Sequence, residues 1–446
     1  MTPPSAATAL PGLTADRPMP GAMTAWLTVI LMCLAQIIST MDRGMLALVV
    51  DSVRADLGIS DLQIALLQGF AFSVFYVTVG LPLGAVAGMV NRRRLLVIGI
   101  IVWSAAAAAG GLAQDFGHMF LSRLFIGVGE AVLAPCAVTM IADLFPPERR
   151  GRPMAVYVFG TMIAFGVGSL VTGTILEIAP TGVFDGWPVV SGLSPWRTTF
   201  VLTGLSGFGL AALLLLVREP PRSVPAAGVK GSGMKAQVAA IWADRSVLLP
   251  LYGALAFFAM GGAVATAWGA ALLTRRFGFA MADAGKTLGS GQILWALVGA
   301  AIASIVVDRV AKRGGTAGKI RLSALAALLS LPAVLAVGAP SPLIAAAMLS
   351  AVMGTSALYG TTMLSVISET IAPHARGLGV ALYAFVMTMI GGSIGPVAVA
   401  ALTEHMFGSP RSVGLSMAIV GIAAFTLSTL FAMVAAARRR SAGLTA

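Results

Sequence analysis

Asp42 and Arg43 set an acid beside a base inside an apolar stretch that runs from about Trp26 to Val50. A charged side chain at the centre of a bilayer costs at least about 2.5–3.5 kcal/mol, so a pair kept there is a functional suspect. A second stretch carries Arg123 and Glu130, seven residues apart. That spacing is close to two helical turns, so the two side chains share one helix face. At about 1.5 Å of rise per residue, Asp42 and Glu130 reach nearly the same depth, with Arg43 and Arg123 somewhat further out. Two acids and two bases in one depth band cancel each other's charge if they face one cavity.

The chemistry such a set can do is proton coupling. A carboxylate out of water holds its proton more tightly, and a guanidinium moved against it reverses the effect. A conformational change that rearranges the contacts would load a proton on one side and release it on the other. Arginine keeps its own proton and serves as a fixed counter-charge, or as an anchor for a phosphate or carboxylate group. Asp42 and Glu130 are therefore the candidate titrating groups, and Arg43 and Arg123 the switch and anchor. The alternative is a static ion-pair network holding the first and fourth helices together.

The elements that must position these residues are membrane-spanning helices. The chain has 446 residues, 58% hydrophobic and only 10% charged, against about 25% charged in a soluble domain. A spanning helix needs about 20 mostly apolar residues. Twelve stretches qualify, at about 26–50, 62–88, 95–113, 118–144, 153–178, 198–217, 247–273, 284–307, 320–338, 342–367, 377–403 and 412–436. This divides the chain into a disordered cytoplasmic tail (1–23), a first six-helix bundle (24–217), a cytoplasmic linker (218–245), a second six-helix bundle (246–437) and a short tail (438–446). The first tail lacks the clustered basic residues of a signal peptide. Cys33 and Cys136 lie in apolar runs and read as buried small hydrophobes, with no disulfide or metal.

The net charge of +12 tempts a nucleic-acid reading, but the positions explain it better. Of the 29 Lys and Arg residues, 21 fall in the tails and alternate loops on one side. These include Arg92–Arg94, Arg149, Arg150, Arg152, the linker and the 309–321 loop. Six fall on the other side, and Arg43 and Arg123 lie in membrane segments. This bias places both termini in the cytoplasm and calls for no nucleic-acid partner. The halves also repeat. Asp143, Pro147, Arg150, Gly151, Ala155 and Tyr157 recur as Glu369, Pro373, Arg376, Gly377, Ala381 and Tyr383 at one constant offset. Two six-helix halves related this way place a substrate site near the midplane between them.

Here the chain resembles the major facilitator superfamily. The loop after the second helix carries part of that family's G-x-x-x-D-R-x-x-R-R signature, with Gly84, Arg92 and Arg93 present but Gly88 and Met89 in place of the Asp and first Arg. The second half keeps Asp308-Arg309 and Arg313 and loses the Gly. Within the superfamily it is similar to the spinster branch, associated with lysolipid and sphingolipid export. The runs are Met41-Asp42-Arg43, Asp56-Leu57-Gly58-Ile59-Ser60-Asp61-Leu62-Gln63, Gln68 to Tyr76 and Arg123 to Ala131. A sister branch of organic-anion/proton symporters carries the same charge set. The resemblance implies a cytoplasmic gate built from Asp143, Arg150, Asp308, Arg309, Glu369 and Arg376. Without Asp and Arg at Gly88 and Met89, the first-half latch is expected to be weak, with more weight on the second half.

The second half has no intramembrane charge to match. Candidate cavity residues are Gln36, Tyr76 and Tyr157 from the first half, and Tyr252, Trp268, Tyr359, Thr362 and Tyr383 from the second. An aromatic second wall facing a charged first wall suits an amphipathic, anionic substrate. Ser232-Gly233-Met234-Lys235 and Gly285-Lys286-Thr287 match fragments of enzyme motifs but lack the companion residues. The expectation is a non-enzymatic secondary transporter without cofactors, driven by protons, monomeric, in the bacterial inner membrane. It would move a lysolipid-like or anionic small molecule by alternating access. Alternatives are a proton symporter for a small organic acid, and a membrane receptor or sensor without transport.

Overall fold

The structure is a computed structural model and describes residues 21–87, 89–221 and 234–441. The expected tail over 1–20, Gly88 of the loop signature, linker residues 222–233 and tail residues 442–446 lie outside the described residues. Among the described residues every regular element is helical. Eleven helical segments are long and apolar enough to cross a membrane. One of them, Met281–Val334, is 54 residues long and contains Gly315 at φ 54°, ψ −151°. Only glycine takes that conformation without strain. Division there gives twelve passes.

We number these α1 (Ala22–Leu48), α2 (Asp61–Ala65, a π-helical turn at Leu66–Phe70, then Ala71–Ala87), α3 (Arg92–Gly111), α4 (Phe116–Glu130 and Leu133–Leu144), α5 (Gly151–Ile178) and α6 (Pro195–Leu214). The second half holds α7 (Arg245–Phe277), α8 (281–314), α9 (316–328, extended by Leu331–Val334), α10 (Pro342–Thr370), α11 and α12 (Val413–Ser441). Helix α11 comprises Arg376–Phe385, a π-helical turn at Val386–Gly391, Gly392–Ala401 and a second such turn at Leu402–Met406. The expected 309–321 loop is helix on both sides of Gly315. Its basic residues extend α8 past the apolar run, and the glycines alone supply the change of direction.

Local chemistry sets the helix ends. Ser60 and Gln63 form a capping box at the start of α2, and Asn91 and Asp115 cap α3 and α4. Together these satisfy backbone N–H groups that would otherwise lack partners. Helix α4 breaks just after Glu130. Pro135 cannot donate to the Ala131 carbonyl and its ring crowds it, so the chain turns at Ala131–Val132 before resuming.

The two halves meet most closely along α5 and α8. A Cβ at Gly166 would lie 2.7 Å from the Gly289 carbonyl oxygen, and one at Gly289 would lie 2.6 Å from the Gly166 oxygen. Gly173 and Gly285 repeat this two turns on, so the backbones touch directly. The Arg-poor end is closed by charge. Arg275 of α7 reaches both oxygens of Asp61 at 2.7 Å and pairs with Asp51 at 2.8 Å. Both Arg275 and Asp61 are nearly buried, with side-chain exposures of 5% and 2%. Glu404 of α11 accepts the Leu62 N–H at 2.9 Å.

At the basic end the strong pairs stay within each half. Arg92 bonds Asp143 at 2.6 Å and Glu219 at 2.8 Å, tying α3 to α4 and to the segment after α6. Lys319 pairs with Glu369, tying α9 to α10 in the same way. Asp143 is thus not left without its Arg by the altered loop signature: Arg92, at the start of α3, supplies the guanidinium. Arg150 donates to the Phe145 carbonyl at 2.8 Å and Arg376 to the Ile371 carbonyl at 3.4 Å, equivalent contacts in the two halves. Asp308 and Arg309, expected to carry more of the gate, are exposed with no partner among the described residues.

Two outcomes test this arrangement. Removing Arg275 leaves the buried Asp61 with only the longer, 3.7 Å pair to the partly exposed Arg54, a loss of up to about 3–5 kcal/mol, the cost of a broken buried pair. R275A is therefore expected to speed labelling of a cysteine placed at Ala270 by a membrane-impermeant reagent from the Arg-poor side. An unchanged rate would show that these ion pairs do not hold that end shut. G289L would force α5 and α8 apart, and is expected to lower the melting temperature of the purified protein by several degrees.

Candidate functional site

Arg43 is the one member of the charge set that reaches the space between the halves. Its guanidinium pairs with Glu130 at 3.1 Å and donates to the Ser39 hydroxyl at 3.3 Å. Ser39 lies one turn earlier on α1, so the helix itself aims the side chain across to α4. The guanidinium sits 4.9 Å from the centre of the Phe72 ring and 5.8 Å from that of Tyr76. These rings stack on each other on α2 at 5.1 Å, a face favourable for a cation. The Arg43 side chain is 28% exposed, whereas Glu130 is 1% exposed.

The other three charges are buried inside the first half. Arg123 donates to the backbone carbonyl of Asp42 at 3.0 Å and lies over the Phe200 ring. The Asp42 carboxylate is buried, and neither oxygen has a hydrogen-bond partner among the described residues. The expected four-charge set is thus brought together, but it does not line one cavity. It forms a buried core of Asp42, Arg123 and Glu130, with Arg43 as its contact to the interior space. The break after Glu130 at Ala131–Val132 places that carboxylate at the end of a helical segment, beside a hinge.

The space beside Arg43 is a cavity of about 240 Å³ between α1, α2 and α5 of one half and α7, α8 and α11 of the other. Phe72, Phe165, Gln68, Ser169, Gln292 and Thr388 are among its walls. Toward the basic end a second, more apolar space of about 400 Å³ runs between α2, α4 and α11, lined by Tyr76, Val77, Pro135, Val380 and Phe385. Arg43 stacks over Phe72, which lines the first space, and Tyr76, which lines the second.

The expected cavity residues divide. Tyr76 lines the second space. Gln36 and Tyr157 bond each other at 3.0 Å, and Gln36 also bonds Thr40, so they form a buried junction of α1 and α5. Tyr252 donates to the Gly379 carbonyl at 2.9 Å, joining α7 to α11, and the half-buried Tyr383 lies near Gly360 of α10. Three residues are misplaced by the aromatic-wall expectation. Trp268 is fully buried and donates to the Pro396 carbonyl. Tyr359 is buried, stacked on Phe258 with ring centres 3.6 Å apart. Thr362 is buried and bonds its own helix at Leu358. These side chains pack within the second half, and the second-half wall of the cavity is instead made of small and apolar residues with Thr266, Gln292 and Thr388 among them.

Two groups were not singled out from sequence. The first is Gln68 and Phe72, which with the expected Tyr76 form one face of α2 at a spacing of four. The second is the latch Asp51, Asp61 and Arg275, whose signal is two acids and a base near helix ends on the Arg-poor side.

The Major Facilitator Superfamily model matches residues 32–396. The chain is 25% identical over 390 residues to an MFS-type efflux pump of Mycolicibacterium smegmatis, covering 86% of each chain. It is 26% identical over 267 residues to protein spinster of Drosophila melanogaster, covering 58% of this chain and 42% of that one. The fold matches the crystal structure of a bacterial homolog to the human lysosomal transporter spinster in an inward-facing, unoccupied conformation. That match has TM-score 0.76 and 21% identity, and covers 96% of this chain and 98% of that one. The chain therefore belongs to the Major Facilitator Superfamily, a family of transporters and not of enzymes, and it is similar to proteins of the spinster branch.

Proposed function

We infer that this transporter couples the movement of an anionic, amphipathic small molecule to protons, with Arg43 shared between cargo and Glu130. The observation that carries the reading is the 3.1 Å pair between a partly exposed Arg43 and a buried Glu130. An anion entering the cavity competes for the guanidinium. If Arg43 swings to the anion, Glu130 loses its cation in a water-poor site. A buried carboxylate without a cation is neutralised by taking up a proton. Anion and proton are then loaded in one step, which is the linkage of a symporter.

Asp42 and Arg123 form the second, deeper acid and base. Arg123 holds the α1 backbone through the Asp42 carbonyl, so a change of charge on Asp42 is felt where α1 and α4 cross. Alternating access follows from the unequal ends: the Arg-poor end is bound across the halves, while the basic end has its strong pairs inside each half. The Lys/Arg bias supports assigning the basic end and both termini to the cytoplasm of a bacterial inner membrane. A monomer suffices, since each element of the site comes from one chain.

A second reading, symport of a small organic acid, is favoured by the modest volume and polar walls beside Arg43. The apolar space past Tyr76 favours an amphipathic cargo.

The test is reconstitution in liposomes carrying an internal pH dye. E130Q, which mimics the protonated acid, is expected to lose acidification driven by substrate, at least tenfold, while retaining exchange of labelled for unlabelled substrate. If E130Q still moves protons with substrate at the wild-type ratio, Glu130 is not the coupling group.

A further inference from the structure

The cavity that holds Arg43 carries hydrogen-bonding capacity that the fold leaves unused. The Gln68 amide nitrogen donates to the Ala267 carbonyl at 3.3 Å. Its oxygen must point away from that carbonyl, and it is buried with no partner. The Gln292 oxygen accepts from the Ser169 hydroxyl at 3.2 Å, which leaves the amide N–H groups of Gln292 for another acceptor. The Thr266 hydroxyl donates to the Gly262 carbonyl at 3.1 Å, so its oxygen remains an acceptor. All three side chains line the cavity that holds Arg43.

A buried acceptor without a donor is costly, because it has given up water and gained no partner. A bound molecule recovers that cost if it brings a donor to Gln68 and an acceptor to Gln292. A hydroxyl is the small neutral group that does both with one atom. A quaternary ammonium has no N–H to give, and any cation is repelled by Arg43. The volume of about 240 Å³ corresponds to roughly eight waters at about 30 Å³ each. That admits a compact acid or one lipid head group.

We propose that this cavity selects anions carrying hydroxyl groups beside the charge, with Arg43 holding the anion and Gln68 and Gln292 reading the hydroxyls. The proposal rests on the assignment of Arg43 as the anion site and adds the substrate class. The shared chemistry has two sources: a free polyhydroxy acid, or a single-chain phospholipid with a glycerol head. Sites built to bond a substrate hydroxyl discriminate strongly against analogues lacking it, because their polar groups are then left unpaired.

The experiment is competition binding to the purified full-length chain with two matched pairs. One pair is gluconate against hexanoate, each a six-carbon carboxylate. The other is lysophosphatidylglycerol against the same lipid with a propyl ester in place of glycerol. In at least one pair the hydroxylated member is expected to bind tenfold tighter or more, and the pair that shows it identifies the source. Q68L and Q292L are each expected to bring that ratio close to one. If Q68L does not fold, Q292L decides. Ratios near one in both pairs, ratios that survive both substitutions, or no binding by any probe would overturn the proposal. The effect of R43Q is separate. If it weakens all bound probes alike, the anion site stands whatever the hydroxyl ratio. If it changes none, the anion site fails while the hydroxyl ratio is still read.

Discussion

The structure turns on one constraint: four charges inside a bilayer must cancel, and they cancel within a single half. Asp42, Arg43, Arg123 and Glu130 sit on two helices, α1 and α4, and among the described residues no charged partner comes from the second half. Their neutrality is therefore kept when the halves move relative to each other. Only Arg43 has a second environment, because it alone reaches the space between the halves. Under the proposed symport, an anion that drew Arg43 away from Glu130 would leave a buried acid without its cation and so in need of a proton.

The same economy shapes the ends of the molecule. Glycines at 166, 173, 285 and 289 let two backbones touch, and this seam is indifferent to charge. The Arg275 clamp at the Arg-poor end is the opposite case, since it is made of ion pairs to the buried Asp61 and the partly exposed Asp51. A seam of glycines can pivot, whereas a clamp must break. The basic end pairs Arg92 with Asp143 and Lys319 with Glu369, each inside its own half. These pairs stiffen each bundle without joining the two, which leaves that end free to part.

Much of this was legible in the sequence. The twelve apolar runs, the constant offset between halves and the depth of the four charges all follow from composition and the helical repeat. The offset is visible again in the equivalent Arg150 and Arg376 contacts. What failed has a common cause. Reading Trp268, Tyr359 and Thr362 as cavity residues required knowing which face of α7 and α10 turns inward. In a membrane helix both faces are apolar, so periodicity carries little information about orientation. For the partner of Asp143 the sequence left two readings open, a weakened latch or compensation by Arg92–Arg94, and the Arg92 contact decides for the second. A loop signature names positions in sequence, but any guanidinium within reach satisfies a carboxylate, and Arg92 lies within reach.

The π-helical turns of α2 and α11 explain how polar groups came to face Arg43. A π turn inserts one extra residue, so the side chains after it are rotated by about one helical step, or about 100°. The turn at Leu66–Phe70 contains Gln68 and is followed at once by Phe72. It lets Gln68 reach α7 while Phe72 and Tyr76 keep their rings under Arg43. The turn at Val386–Gly391 lies opposite, where Ser73 bonds the Thr388 carbonyl at 3.2 Å. A Cβ at Gly69 would fall 2.6 Å from the Gly392 oxygen. Two irregular turns, one from each half, thus abut at the cavity through glycine. Irregular backbone at this depth survives only where it lines an interior space or is covered by protein. Its presence on both sides of one cavity is consistent with an interior space between the halves, the space into which Arg43 of α1 reaches.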